Sequence, residues 1–322
     1  MSCKWWLIIL NELRVSVSDE VRNALEEGTP ILGLESNVLS HGLPFPKNVE
    51  LQSACDEAIR SRGVVPAITF IDRGKLCLGA TEADLERLTT ANNVDKVTSR
   101  DIAVQLVRGS LGATSVSASL AICELAGVPI FASAGLGGVH RDYATTMDMS
   151  GDLYEIARRR VIVVSAGVKK FLDIPKTVEV LETLNIPAVG FHTSEFPAFY
   201  CKSSGVKLGA RFDRLADLAK AARNHIELDL GSGFLALVSP SDEIALDHEL
   251  VESAVQQALA RAHAENVRGK DITKYVMRFI DEKTNMRSRD ANFEVMVEVV
   301  SRGGGISGGT FKGEGKVVWE RR

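Results

Sequence analysis

The chain has 322 residues, enough for one large α/β domain or two small ones, and its 45% hydrophobic and 25% charged content is that of an ordinary globular protein. A net charge of −4 gives no electrostatic reason to expect a nucleic acid or a membrane as partner, while leaving room for a small anion in a local basic pocket. Cys3, Cys55, Cys77, Cys123 and Cys201 are odd in number, widely spaced and free of any C-x-x-C, which predicts reduced thiols in a cytoplasmic setting; the histidines form no H-E-x-x-H pair, so no structural zinc is expected.

The N-terminal "CKWWLIIL" holds an apolar run, Trp5 to Leu10, that is short for a signal peptide and is followed by "NELRVSVSDE" without a small-residue cleavage site. It reads as a docked extension over residues 1–15. No run approaches the roughly 18 apolar residues of a membrane helix. From there, apolar runs alternate with helical periodicity. The predicted strands are "PILGLES" (30–36), "PAITFID" (66–72), "KLCLGA" (75–80), "VPIFASAG" (128–135), "RVIVVSAG" (160–167), "IPAVGFH" (186–192) and "GFLALVSP" (233–240). Several lack polar alternation, as strands covered on both faces do.

Helices are predicted between them. "NVELQSACDEAIRSRG" ends in a candidate C-cap, Gly63, and "TEADLERLTTAN" opens with Thr81 and Asp84 spaced as a capping box. "ATSVSASLAICELAG" is rich in small residues and suits close packing on a sheet; "DHELVESAVQQALARAHAENVRG" and "DITKYVMRFIDEKT" are amphipathic. The alternation predicts a three-layer α/β/α fold with a central mixed, largely parallel sheet, formed by a single domain over residues 16–300. The glycine-rich segment "GGGISGGTFKGEG" predicts a flexible tail over residues 301–322.

In open α/β sheets, ligands bind beyond the carboxyl ends of strands. The segments after the apolar runs read "ESNVLSHGLPFPKN", "TSRD", "GLGGVHRDYATTMDMSGD", "SAGVKK" and "HTSEFPAF". They gather carboxylates, lysines, hydroxyls and a histidine. Each reads two ways: Glu35 as a catalyst or a buried ion-pair member, His140 as a catalyst or a bonded loop residue, Asp148 and Asp152 as ligands or helix caps. Lys169 and Lys170 are either a solvated face or an amine set at a strand end for chemistry.

Taken together, "LESNVLSHGLPFPKNVE", "DKVTSRD", "GLGGVHR…MDMSGDL", "SAGVKKFLDIPKTVEVLET", "SEFPAFYCKSSG" and "RSRDAN" resemble, in order and spacing, the pseudouridine-5′-phosphate glycosidases, also called the indigoidine-synthase-A-like family. The resemblance spans about residues 16–298. It implies reversible cleavage of the C–C glycosidic bond of pseudouridine 5′-phosphate to uracil and ribose 5-phosphate. It further implies a homotrimer and a divalent cation, Mn²⁺ or Mg²⁺, with no organic cofactor. The family's nucleophilic lysine falls on Lys169, its acid/base glutamate on Glu35 and its metal-binding aspartate on Asp148. Substrate-contacting positions fall on Lys96, Val116, His140, Ser150, Asp152 and Asn292, and Ser133 stands where the family has a threonine near the phosphate.

These types suit the chemistry. A carbon leaving group resists oxocarbenium hydrolysis by two carboxylates alone, whereas a lysine adding at the anomeric carbon opens a Schiff-base route. Lys96 would be the second cation beside Lys169, with Lys170 pointing elsewhere; Glu35 would protonate the ring oxygen. His140, Ser133 and the glycine-turn amides would hold the phosphate, Asn292 the uracil edge, and Asp148 a cation that keeps most of its water. Asn37, Ala134, Gly151 and Asp290 depart from the family pattern; if the family glycine replaced by Ala134 needs positive φ, Ala134 strains the loop. Alternative readings are a related ribosyl-phosphate lyase or N-glycosidase acting on another base, and an inactive sugar-phosphate-binding homologue.

Overall fold

The computed structural model describes residues 15–267 and 270–311. One 11-stranded sheet organises it. Its strands are β1 (Val15–Val17), β2 (Ile31–Leu34), β3 (Val65–Asp72), β4 (Lys75–Leu78), β5 (Asp95–Val97), β6 (Gly112–Thr114), β7 (Ile130–Ser133), β8 (Ile162–Ser165), β9 (Ala188–Phe191), β10 (Ala210–Phe212) and β11 (Phe234–Val238). The main path runs β1-β4-β3-β2-β7-β8-β11-β9-β10, and β6 pairs with both β3 and β5 beside it. Pairings are parallel except where β3 meets β4 and β6. The mixed, mostly parallel α/β/α architecture is as the alternation of elements predicts. The strands not foreseen as apolar runs, β1, β5, β6 and β10, are 3 residues each, too short to make such a run.

Every residue of β2, β7, β8 and β11 is buried, because helices cover both faces of the sheet. Successive residues of β2 report the two sides. Gly33 faces Cys123 of the helix Val116–Leu125, and Leu32 faces Gly303 of the helix Arg287–Phe311. The capping box expected at the helix Glu82–Thr90 forms, with Asp84 N donating to Thr81 Oγ1 at 3.3 Å and Thr81 N to Asp84 Oδ2 at 3.0 Å. The helix Lys47–Arg60 is capped by Ser61 rather than by Gly63, which turns the chain two residues later at φ +70°. Cys55, Cys77, Cys123 and Cys201 are free and buried, and burial pushes the first three thiols up to about 12.

The expectation of a flexible tail from residue 301 is corrected. The helix Arg287–Phe311 runs through that segment, and Gly303, Gly304, Ile306 and Ser307 are buried. A glycine costs about 1 kcal/mol in a helix interior, which is why the segment reads as loop. Here the missing side chains permit close approach. A Cβ at Gly303 would lie 3.2 Å from both Leu32 methyls, and one at Gly305 would lie 2.6 Å from Leu215 Cδ2. Ser307 Oγ then donates to Ile31 O at 3.0 Å, tying the helix to the start of β2. Residues 312–322 of the expected tail, and all of the N-terminal extension except Val15, lie outside the described residues. No helix among the described residues is long and apolar enough to cross a membrane.

Candidate active site

Parallel neighbours β2, β7 and β8 end side by side. The register pairs Leu34 with Ala132 and Ser133 with Ser165, so Glu35, one residue past β2, comes level with Ser133 at the end of β7. Ser133 Oγ donates to Glu35 Oε1 at 2.5 Å. Behind Glu35, Ser36 Oγ donates to Thr69 O at 2.7 Å and accepts from Thr114 N at 2.9 Å, while Thr69 Oγ1 donates to Leu34 O at 2.9 Å. Thr114 Oγ1 donates to Thr69 O at 2.7 Å. This buried hydroxyl network joins the ends of β2 and β6 to the middle of β3 and fixes the direction in which Glu35 leaves the sheet.

Past β8 the chain turns at Gly167, whose φ is +85° and where a Cβ would sit 2.0 Å from Pro197 O. Only glycine fits there. The segment that follows zips onto the glycine loop after β7: Leu136 N donates to Gly167 O at 2.9 Å and Lys169 N to Leu136 O at 3.2 Å. The chain turns here, with Leu172 N donating to Lys169 O at 2.9 Å, and its two lysines find different partners. Lys169 Nζ donates to Gly135 O at 3.1 Å, on the pocket side. Lys170 is buried elsewhere, 3.3 Å from Glu252 Oε2, as expected of a lysine outside the site.

Charge couples Glu35 to its surroundings. Burial pushes its carboxyl above the ordinary value; the Lys169 charge, the Ser133 hydroxyl and Lys96 pull it back, and Asp152 adds to the rise. Lys96, on β5, is exposed as a residue, yet its amine is desolvated enough to be pushed down, with the Lys169 charge adding to the effect. Glu35, Lys96, Ser133, Asp152 and Lys169 therefore share one electrostatic cluster at the strand ends.

Asp152 does not cap the helix Gly151–Arg158. Ser150 does, its Oγ accepting from Asp152 N at 3.2 Å. The Asp152 carboxylate instead accepts from Gly137 N at 2.9 Å and Ser117 N at 3.1 Å. It thus binds the glycine loop to the first turn of the helix that begins at Val116, and both of its oxygens have backbone donors. Ala134 is not among the residues with positive φ, so the strain expected of it is absent; its carbonyl accepts from Ala166 N at 3.1 Å.

His140 and Asp148 form a neighbouring pair. Their backbones join through His140 N to Asp148 O at 3.1 Å, and His140 Nε2 lies 3.8 Å from Asp148 Oδ2. Ser150 N donates to Gly138 O at 3.0 Å, so the 148–150 segment lines the glycine loop. Among the described residues no group of three or more His, Cys, Asp or Glu is placed to hold a metal. The partly exposed Asp148 carboxylate fits a hard cation that keeps most of its water, and does not fit a protein-caged one. Asn292 stands about 22 Å along its helix from Ser307 at 1.5 Å per residue. Lys47, 3.5 Å from Asp290 and 5.0 Å from the Phe293 ring, marks that end of the helix as the one beside the loop after β2. Asn292 is thus near the end of the sheet from which Glu35 emerges, without a hydrogen bond to the cluster among the described residues. Sequence reasoning missed Ser36, Thr69 and Thr114; the clue available was the hydroxyls of Ser36 and Thr114 at strand ends, whereas Thr69 lies inside β3 and gives no local signal.

Comparison with known proteins gives a consistent result. The family described as indigoidine synthase A like protein matches residues 20–308. A pseudouridine-5′-phosphate glycosidase of Corynebacterium aurimucosum is 60% identical over 91% of this chain and 93% of its own. Pseudouridine-5′-phosphate glycosidase 1 of Photorhabdus laumondii is 43% identical over 93% and 94%. Among solved structures, the prealnumycin C-glycosynthase AlnA in complex with ribulose 5-phosphate superposes with a TM-score of 0.86, at 32% identity over 92% of this chain and 96% of that one. An indigoidine synthase A-like protein of Thermotoga maritima gives a TM-score of 0.82 at 31% identity, over 92% and 96%.

Proposed function

The chain belongs to the indigoidine synthase A-like family, and from that membership we infer that it is a pseudouridine-5′-phosphate glycosidase. It cleaves, reversibly, the bond between the anomeric carbon of ribose 5-phosphate and C5 of uracil. The observation that carries the reading is the cluster at the ends of β2, β7 and β8, where a carboxyl pushed toward its acid form shares a pocket with the Lys169 amine. The ribulose 5-phosphate in the AlnA structure supports a pentose 5-phosphate as ligand.

In this reading Glu35 delivers its proton to the ring oxygen as the C1′–O4′ bond breaks and the Lys169 nitrogen bonds to C1′. The attached nitrogen gives a proton to the Glu35 carboxylate, and its lone pair then forms the C=N bond while the C1′–C5 bond breaks, the bond's electron pair passing to uracil, which takes up that proton at C5. Water adds to the C=N bond and frees lysine and the open-chain ribose 5-phosphate. Lys96 supplies a second positive charge beside the amine. His140 contacts the phosphate, with Ser150 and Val116 at the rim, while Ser133 serves Glu35 directly; the Leu136, Gly137, Val139 and His140 amides already donate within the protein, so the expected cradle of loop amides is reduced to those of Gly135 and Gly138. Asp152 holds the loop in shape through Gly137 and Ser117. Asn292 meets the uracil edge. Asp148 would hold Mn²⁺ or Mg²⁺ through its carboxylate, and the bound cation would neutralise phosphate charge. The working form is a homotrimer, and the reduced, buried thiols support a cytoplasmic setting.

The test is incubation with pseudouridine 5′-phosphate and Mn²⁺, detecting free uracil, and the reverse reaction from uracil and ribose 5-phosphate. Absence of turnover in both directions overturns the activity. Borohydride added with ribose 5-phosphate should attach the pentose to the peptide containing Lys169; turnover with that peptide unmodified overturns the Schiff base.

A further inference from the structure

Glu252 lies on the helix His248–Ala264, yet it reaches both loops that build the pocket. Its Oε1 accepts from Arg141 Nη1 at 2.5 Å and its Oε2 from Arg141 Nη2 at 2.9 Å, a bidentate pair. The same Oε2 is 3.3 Å from Lys170 Nζ. Arg141 Nη2 also donates to Lys170 O at 3.1 Å, so guanidinium, carboxylate and lysine close a ring. Arg141 follows His140 directly, and Lys170 follows Lys169 directly. The Lys170 side chain is 6% exposed, and His248 Nε2 stands 3.5 Å from its amine, so Glu252 is the counter-charge on which this buried cation depends. Arg141 holds the Glu252 carboxyl down at about 2, which keeps it ionised through the neutral range.

The reaction read from the pocket needs one distance above others. The amine must meet the anomeric carbon of a pentose whose phosphate sits in the loop at residues 135–140. Main-chain bonds between Leu136, Gly167 and Lys169 set that separation near the sheet, and Asp173 N to Val139 O at 2.8 Å sets it further out. Side-chain bonding between the loops comes from Lys169 Nζ to Gly135 O, from Arg141 Nη2 to Lys170 O, and from Glu252, whose carboxylate holds Arg141 and Lys170 together. We propose that Glu252 is a positioning residue: by clamping Arg141 and Lys170 it fixes the spacing of the loops carrying His140 and Lys169, and so the reach of the Lys169 amine to C1′. The proposal rests on the glycosidase reading above.

The test is Glu252→Gln, which keeps the shape and removes the charge. The kcat for pseudouridine 5′-phosphate cleavage falls roughly tenfold, with KM changed less than about twofold, because misplacing the nucleophile weakens the transition state more than ground-state binding. Borohydride trapping at Lys169 slows by a similar factor. Adding Lys170→Met to Glu252→Gln lowers kcat little further, since the residues act as one unit. Arg87→Met, which breaks the ion pair with Asp72 at 2.8 Å, serves as a destabilised control whose kcat per folded molecule is unchanged. Hydrogen exchange in peptides spanning 135–141 and 168–172 rises together in Glu252→Gln, a measurement independent of turnover. Wild-type kcat per folded molecule, or unchanged exchange in both peptides, overturns the proposal. If the wild-type protein itself releases no uracil, the glycosidase reading fails, and the exchange experiment alone decides whether the clamp exists.

Discussion

Ser133 Oγ lies 2.5 Å from Glu35 Oε1 and donates its proton to that carboxyl, at the point where the parallel strands β2 and β7 leave the sheet. A hydroxyl so placed stabilises the ionised carboxylate against the burial that disfavours it. Ser133→Ala therefore raises the Glu35 value further, and the acid form persists to higher pH. The alkaline limb of the kcat profile moves upward in Ser133→Ala, and a limb that stays in place or moves down contradicts the assignment of that limb to Glu35.

Glu35→Gln removes the proton donor and lowers kcat by roughly 10²–10⁴-fold, the range for a general acid. The same substitution tests the burial argument through stability. The folded-state value of Glu35 is raised above its ordinary 4.5, so the stability tied to its protonated form is fully present below that value and is lost as pH rises through the folded-state one. Thermal unfolding from pH 4 to pH 8 should show Glu35→Gln gaining on wild type as pH increases; a constant difference would remove the desolvated carboxyl from the account.

Lys169→Arg keeps the positive charge and loses the nucleophile. Uracil release falls by roughly 10³-fold or more, and borohydride trapping with ribose 5-phosphate disappears. Near-wild-type turnover in Lys169→Arg would show that the amine acts only as a charge.

A chelator lowers turnover, and added Mn²⁺ restores it. Asp148→Asn shifts the Mn²⁺ concentration for half-maximal rate upward, because the cation loses its anionic ligand while its waters remain. Equal Mn²⁺ dependence in wild type and Asp148→Asn would place the cation elsewhere.

Gly167→Ala places a Cβ 2.0 Å from Pro197 O at a φ of +85°. The turn must open, at a cost of roughly 1–3 kcal/mol, and Lys169 moves with it. Denaturant unfolding measures the loss, and a stability equal to wild type would mean that the turn relaxes freely.

What the sequence made legible followed from local signals. Apolar runs marked the long central strands, the Thr81–Asp84 spacing marked a helix start, and the segments after strands marked where Glu35 and Lys169 emerge. What it concealed is long-range. Asp152 reads as a helix cap or a substrate contact, and only the packing of three separate segments reveals a carboxylate engaged by Gly137 and Ser117. The hydroxyl network of Ser36, Thr69 and Thr114 spans 78 residues of chain between its ends. Gly303 and its neighbours mislead because helix propensity is a local property, whereas their fit against Leu32 and Leu215 is tertiary.

The seat of Ser307 against Ile31 has a consequence for synthesis. The strand that presents Glu35 is made long before the helix that shields its Leu32 face, since Ser307 lies 276 positions after Ile31. A growing polypeptide held at the ribosome before that point carries an uncovered apolar strip and an unfinished catalytic end. The cover over this face forms only once that helix has been made and docks.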